Sequence, residues 1–262
     1  MKAERIEFDR LDNTRDLGGL KTKYGTTIKQ NRLIRSGRLS DASSKDKEKL
    51  AKLVDTIVDF RTEEEAYEKP SPQLAGVKLI RLEVMGNKST GITREKGFQD
   101  SLIDLMRVPS VTYEFMKGMY SGFLTDSCLK AYRKFFKILL SKHDRGVLFH
   151  CTAGKDRTGF AAFLIEHALG VSKNDIDEDY MYTEICTKEA IDNLTKYYVE
   201  KIGENKEDVK KAVDYAFAPK KEYLDSLDEI IIKQFGNYET FFRKKIKLNQ
   251  KKLTKLREMY LE

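Results

Sequence analysis

The chain has 262 residues, 40% hydrophobic and 35% charged, with 14 Phe and 13 Tyr available to seed a core. A chain of this length buries roughly 70 to 75% of its unfolded surface, so it needs no disulfide or metal staple, and disorder is excluded as its main state. Lys plus Arg number 49 against 42 Asp plus Glu, a net charge of +7; this favours anionic partners, but the signs are interspersed and no nucleic-acid stripe is indicated.

Cys128, Cys151 and Cys186 are odd in number and lack zinc-ligand spacing, so reduced thiols are expected. The opening MKAERIEFDR is too polar for a signal peptide. No run of about 20 apolar residues is present, so no spanning helix is expected. The expected location is cytoplasmic, with secretion left open.

In chain order, Asp16-Leu17-Gly18-Gly19-Leu20 leading to Lys23-Tyr24-Gly25 predicts a hairpin with a glycine turn. Residues 32–36 predict a short strand. Residues 41–54 predict a helix capped by Asp41 or Ser43, with Leu50, Leu53 and Val54 on its apolar face. Residues 56–60 predict a buried strand and residues 77–84 a second one. Residues 86–100 show little pattern and read as a loop. Leu129, Tyr132, Phe135, Phe136, Leu139 and Leu140 follow helical spacing, ending near Ser141. Residues 146–150 are a short apolar strand, and residues 159–169 a helix apolar on several faces and therefore buried. Residues 174–218 are polar and helical in character. Further helices fill 222–260, interrupted by Gly236, with Tyr223, Leu224, Leu227, Ile231 and Phe235 on one face. The alternation of strand and helix indicates an α/β sheet. No internal repeat is seen, and 1–262 is expected to form one domain.

Between the strand at 146–150 and the buried helix lies His150-Cys151-Thr152-Ala153-Gly154-Lys155-Asp156-Arg157-Thr158-Gly159. A loop there can wrap backbone N–H groups around an anion, reinforced by the positive end of the following helix. Such surroundings favour the thiolate of Cys151. Arg157 lies six residues on, close enough for the loop to bring both to one centre. Its guanidinium fork fits two phosphoryl oxygens. Ala153 and Gly154 allow close backbone approach. The Thr158 hydroxyl can hydrogen-bond the sulfur.

The pattern Cys-x5-Arg-Thr, with His before it and Gly within it, resembles the protein tyrosine phosphatase signature. The resemblance extends to a family of bacterial tyrosine phosphatases. It is carried by Asn13-Thr14-Arg15-Asp16-Leu17-Gly18-Gly19, Arg35-Ser36-Gly37-Arg38-Leu39 and Asp59-Phe60-Arg61-Thr62 with Glu65. Tyr223-Leu224, Phe235-Gly236-Asn237-Tyr238 and Leu256-Arg257 add to it towards the end. The least matched part is 86–125. A rhodanese-type sulfur carrier uses a shorter cysteine-to-arginine spacing. The resemblance implies a phosphatase-like domain: a mostly parallel central sheet flanked by helices, a helical C-terminal half, and residues 183–218 either as a helical lid or as a plainly packed pair.

The resemblance further implies metal-free and cofactor-free hydrolysis of a phosphate monoester through a phosphocysteine. Cys151 is the expected nucleophile and Arg157 the phosphoryl ligand, with residues 152–158 forming the cradle. Many phosphatases carry their acid on a separate loop some 30 residues before the cysteine. Here Tyr120 stands 31 residues before it, with Glu114 and Asp126 the nearest acids. Asp156, inside the loop, is the leading candidate for general acid, with Asp126 weaker. His150 is expected to orient the loop. Lys155 could serve a second phosphate, as in a class of lipid phosphatases; those also carry Lys directly after the cysteine, where this chain has Thr152. Arg15 and Asp16 are expected to pin the N-terminal segment against the loop, and Asp59 with Arg61 to form a buried ion pair. Cys128 and Cys186 read as plain buried thiols. Residues 243–252, rich in Lys, read as a solvated helix face. Phosphotyrosine proteins or peptides are the expected partners, with phosphoinositides as additional candidates. A slow phosphate-binding module is the rival of another class.

Overall fold

The computed structural model describes residues 3–85 and 98–262. Six strands form one sheet: β1 (Glu4–Arg5), β2 (Arg15–Asp16), β3 (Leu33–Ser36), β4 (Val54–Asp59), β5 (Lys78–Arg81) and β6 (Gly146–His150), in the order β1-β2-β3-β6-β4-β5. The first three pair antiparallel, whereas β3, β6, β4 and β5 run parallel. β6 is central and all five of its residues are buried, which is why it reads as an unbroken apolar run.

Alternation along the strands divides two cores. Leu33, Val58, Val147 and Phe149 point into the larger one. Ile34, Ile57 and Leu148 point into the smaller, closed by Leu50 of α1 (Ser44–Leu53). The larger core is covered by α5 (Asp126–Leu139) and α6 (Asp156–Leu169). Nearly every residue of α6 is buried, matching the apolar faces read from sequence. Phe135 sits at its centre, edge-on to Phe60 with centroids 5.2 Å apart and 5.2 Å from Phe149. The other helices are α2 (Glu63–Glu68), α3 (Phe98–Leu105), α4 (Pro109–Gly122), α7 (Lys173–Ile202), α8 (Lys206–Phe217), α9 (Lys221–Phe235), α10 (Tyr238–Phe241) and α11 (Gln250–Tyr260), with one π-helical turn over Phe242–Ile246. Leu102 and Met106 join Tyr198, Ile202, Val209 and Val213 in a separate small cluster built on α7 and α8.

Most predicted elements appear, with shifted ends. The first helix starts at Ser44, because Ser43 and Asp46 form a reciprocal capping box. The buried helix after β6 starts at Asp156 rather than 159. The hairpin turns at Gly25, whose φ is 78°, with Thr22 N–H donating to the Thr26 carbonyl at 2.9 Å. The loop expected over 86–100 lies mostly outside the described residues, but its last three residues belong to α3; Leu102 and Met106, whose burial anchors that helix, fall beyond the stretch that reads as patternless. Among the described residues, no helix is long and apolar enough to cross a membrane.

Truncating Phe135 to Ala should cost about 3–5 kcal/mol, seen as a lower denaturant midpoint. Tyr67→Ala, at a side chain 87% exposed, should change stability by less than about 0.5 kcal/mol. Equal small losses would contradict the placement of the core.

Candidate active site

The parallel strands β3, β4 and β6 end together at Ser36, Asp59 and His150. Sites of α/β sheets form at such carboxyl ends, and residues 151–155 leave β6 there. Four carbonyls of this loop are held from outside. The Cys151 carbonyl lies 3.0 Å from His150 Nδ1. The Thr152 carbonyl accepts from Arg38 N–H at 2.9 Å, that of Ala153 from Asn13 Nδ2 at 2.9 Å and that of Gly154 from Arg35 Nη2 at 2.9 Å. Among the described residues, the amides of 152–155 meet no backbone carbonyl. With its carbonyls turned away, the loop has its N–H groups free to converge on an anion, beside the N-terminus of α6. Gly154 is obligatory: its φ is 73°, and a Cβ there would lie 2.7 Å from the Ser36 carbonyl and 2.8 Å from Gly37 N.

A cavity of about 140 Å³ opens over the loop. Cys151, Thr152, Ala153, Lys155, Asp156 and Arg157 line its floor, and Met85, Met119, Phe123 and Phe217 line its walls. The sequence-predicted nucleophile, cation and acid thus share one pocket. Asp126 does not: it lies at the surface, paired with Arg133 at 2.9 Å.

Arg157 is gripped by Glu65, whose role the sequence does not reveal. Glu65 accepts from Arg157 Nη1 at 2.6 Å and Nη2 at 2.8 Å, from the Thr152 hydroxyl at 2.5 Å and from Thr62 N–H at 2.9 Å. Thr62 and Glu65 also form the capping box of α2, so the helix start aims the carboxylate. Burial opposes ionisation of Glu65, but the Arg157 guanidinium and these donors bring it down to about 2. Arg157 is correspondingly held more firmly cationic. The Thr62-x-x-Glu65 spacing was a readable cap signal; its partner 92 residues away was not.

The other predicted residues fall into place with corrections. Asp59 and Arg61 form the expected buried ion pair at 2.8 Å. His150 is fully buried, and burial lowers its basicity despite Asp59 nearby, so a neutral ring orients the loop. Arg15 does not reach the loop. Its Nε donates to Asp179 Oδ1 at 2.7 Å and its Nη1 to Asn13 Oδ1 at 2.5 Å. Asp179 also pairs with Arg35, so Asn13 and Arg35 are the groups that pin the loop. Burial works against the Asp179 carboxylate, but the two arginines hold its titration below the ordinary range. Asp16 caps a turn instead, accepting from Gly18 N–H at 2.9 Å and Asn31 N–H at 2.5 Å. Lys155 is buried, and its Nζ donates to the Ala216 carbonyl at 2.7 Å at the end of α8, 3.4 Å from Asp156 Oδ1; it is committed to a helix end rather than presented to a second phosphate. The Thr158 hydroxyl is buried and, among the described residues, has no hydrogen-bond partner, the sulfur included.

Because Glu65 is depressed from 4.5 to about 2, its contribution is fully present above pH 4.5 and fades as pH falls towards 2, about 3 kcal/mol at most. Denaturant unfolding should therefore show wild type more stable than Glu65→Gln at pH 7, with the gap about halved at pH 3. A gap independent of pH would contradict the pairing.

A family model described as the tyrosine phosphatase family matches residues 6–262. A provisionally named tyrosine-protein phosphatase of Cupriavidus necator is 36% identical over 181 residues, covering 67% of this chain and 62% of that protein. A tyrosine-protein phosphatase of Nostoc commune is 31% identical over 152 residues, covering 55% of this chain and 44% of that protein. The matches thus take in less than two thirds of either relative. The solved structure of P. aeruginosa TpbA in complex with pTyr overlaps 72% of this chain and 89% of its own at 17% identity, with a TM-score of 0.29, too low to carry an argument. The match across nearly every residue, with the cysteine loop inside it, means that the chain belongs to the tyrosine phosphatase family.

Proposed function

We propose that the chain hydrolyses phosphate monoesters through a phosphocysteine, with phosphotyrosine in proteins or peptides as its substrate. The observation that carries the reading is the convergence of Cys151, Asp156 and Arg157 on one cavity above a loop whose carbonyls are turned outward. The substrate phosphoryl group would sit on the loop amides and the Arg157 fork, which stabilise charge on the equatorial oxygens as they spread in the transition state. Cys151 Sγ attacks phosphorus, and Asp156 protonates the departing oxygen. Water then attacks the phosphocysteine, with Asp156 taking its proton. Among the cavity walls, Met85, Met119, Phe123 and Phe217 offer an apolar slot for a phenol ring. Phe217 comes from the end of α8, in keeping with a lid over the site. The commitment of Lys155 to the Ala216 carbonyl argues for a singly phosphorylated group over a phosphoinositide.

The test is phosphate release, with EDTA present, from phosphotyrosine, phosphoserine and phosphothreonine peptides and from mono- and bis-phosphorylated inositol lipids. Phosphotyrosine should be turned over fastest. Cys151→Ser should lose at least about 10⁴-fold and Arg157→Lys about 10²–10³-fold. Faster turnover of the lipids would replace the substrate assignment. Tight phosphopeptide binding without turnover would make the chain a binding module.

A further inference from the structure

Asp156 does not stand alone in the pocket. Tyr120, near the end of α4, donates its hydroxyl proton to Asp156 Oδ1 at 2.8 Å. Tyr180, on α7, meets Tyr120 hydroxyl to hydroxyl at 2.5 Å. Two helices remote in sequence thus feed one carboxylate oxygen. Tyr120 and Tyr180 are 0% and 2% exposed. Tyr180 is pressed against α6, where a Cβ on Gly159 would come within 3.2 Å of its ring.

We propose that Tyr120, backed by Tyr180, is a positioning residue that decides which oxygen of Asp156 carries the catalytic proton. The proposal rests on the reading of Asp156 as the general acid. The direction of the chain follows from its donors. The Tyr120 proton is committed to Asp156 Oδ1, so the proton between the two tyrosines belongs to Tyr180. Reversing the chain would leave the Tyr180 proton pointing into a buried site where, among the described residues, no acceptor meets it, a penalty that a paired order avoids. Burial and the Asp156 carboxylate both push the Tyr120 phenol far from ionising, so it stays a donor. With Lys155 Nζ 3.4 Å from the same oxygen, Oδ1 is an acceptor in every step. Among the described residues, no hydrogen bond from the protein reaches Oδ2, and the side chain keeps 19% exposure at the pocket. The acid proton therefore resides on Oδ2, the oxygen left to face the substrate.

The two steps then balance. As the Sγ–P bond forms and the bond from phosphorus to the leaving oxygen breaks, the Oδ2 proton passes to that oxygen and Asp156 becomes a carboxylate, stabilised at Oδ1 by Tyr120. When a water oxygen bonds to phosphorus and the P–Sγ bond breaks, the thiolate is regenerated and the water proton returns to Oδ2. Tyr120 keeps its own proton throughout. It is also the residue 31 positions before Cys151, where the sequence offers no acid: the segment contributes a hydroxyl that aims the loop acid.

The experiment compares kcat/KM, which reports only the steps up to departure of the leaving group, for phosphotyrosine, a poor leaving group, and for dinitrophenyl phosphate, whose leaving group needs no proton. Tyr120→Phe keeps the ring and should lower the first about 10-fold and the second less than 2-fold, with the inhibition constant of vanadate unchanged. Tyr180→Phe should give the same pattern at about 3-fold, and serves if Tyr120→Phe folds poorly. In an Asp156→Asn background, Tyr120→Phe should cost nothing further. Equal losses on both substrates, or a loss that adds to that of Asp156→Asn, would reduce the tyrosines to packing and sink the proposal. If Asp156→Asn itself shows no leaving-group dependence while Cys151→Ser is inactive, the acid assignment and the role of the tyrosines fall together and the phosphatase reading stands.

Discussion

The site depends on one buried carboxylate. Asp179 lies 2.7 Å from Arg15 and also pairs with Arg35, with all three side chains almost fully enclosed. Burying three charges is expensive, and removing one partner from such a cluster typically costs about 3–5 kcal/mol because the rest are left uncompensated. What the cluster secures is position. Arg35 carries the Gly154 carbonyl, and Arg15 holds Asn13, which carries the Ala153 carbonyl. The loop is thus tied to α7 through β2 and β3, and its shape is set by groups that do not line the cavity. Glu166 lies against the same cluster, and burial together with Asp179 drives its carboxyl towards the neutral form, which spares the site a second buried negative charge.

The same division between holding and reacting recurs on the cation side. A guanidinium with no anion to bind would be costly to bury. Glu65 keeps Arg157 paired and in plane, and the pair is itself fixed by the first turn of α2. Lys155 resolves a similar problem differently. Burial lowers its basicity, and the carbonyl end of α8 supplies the negative partner that a helix C-terminus offers. Positive charge is concentrated under the pocket without being left bare.

How much of this was legible follows from what each signal depends on. The β6 strand and α6 were readable because a central strand and a fully enclosed helix must be apolar on all sides. The loop between them was readable because its chemistry lies within ten consecutive residues. Asp179 and Tyr180 were not, since α7 is a polar helix of 30 residues whose composition looks solvated; its packing against α6, with Arg15 and Arg35 reaching it from β2 and β3, buries that turn. Arg15 and Asp16 stood out in the motif, yet their partners could not be read. One turns to α7 and the other to the turn at Asn31, because adjacent strand residues point to opposite faces. Tyr120 was noticed for where it stands, and its partner Asp156, 36 residues away, is set by how α4 packs.

Glu65 serves two masters, the N-terminus of α2 and the guanidinium of Arg157. An anion that draws the guanidinium towards itself weakens the hold on the carboxylate, and the carboxylate in turn is half of the helix cap. Release of Arg157 and fraying of α2 are therefore thermodynamically coupled, and such coupling is reciprocal: a change that tightens or loosens that first turn alters how readily Arg157 can leave Glu65.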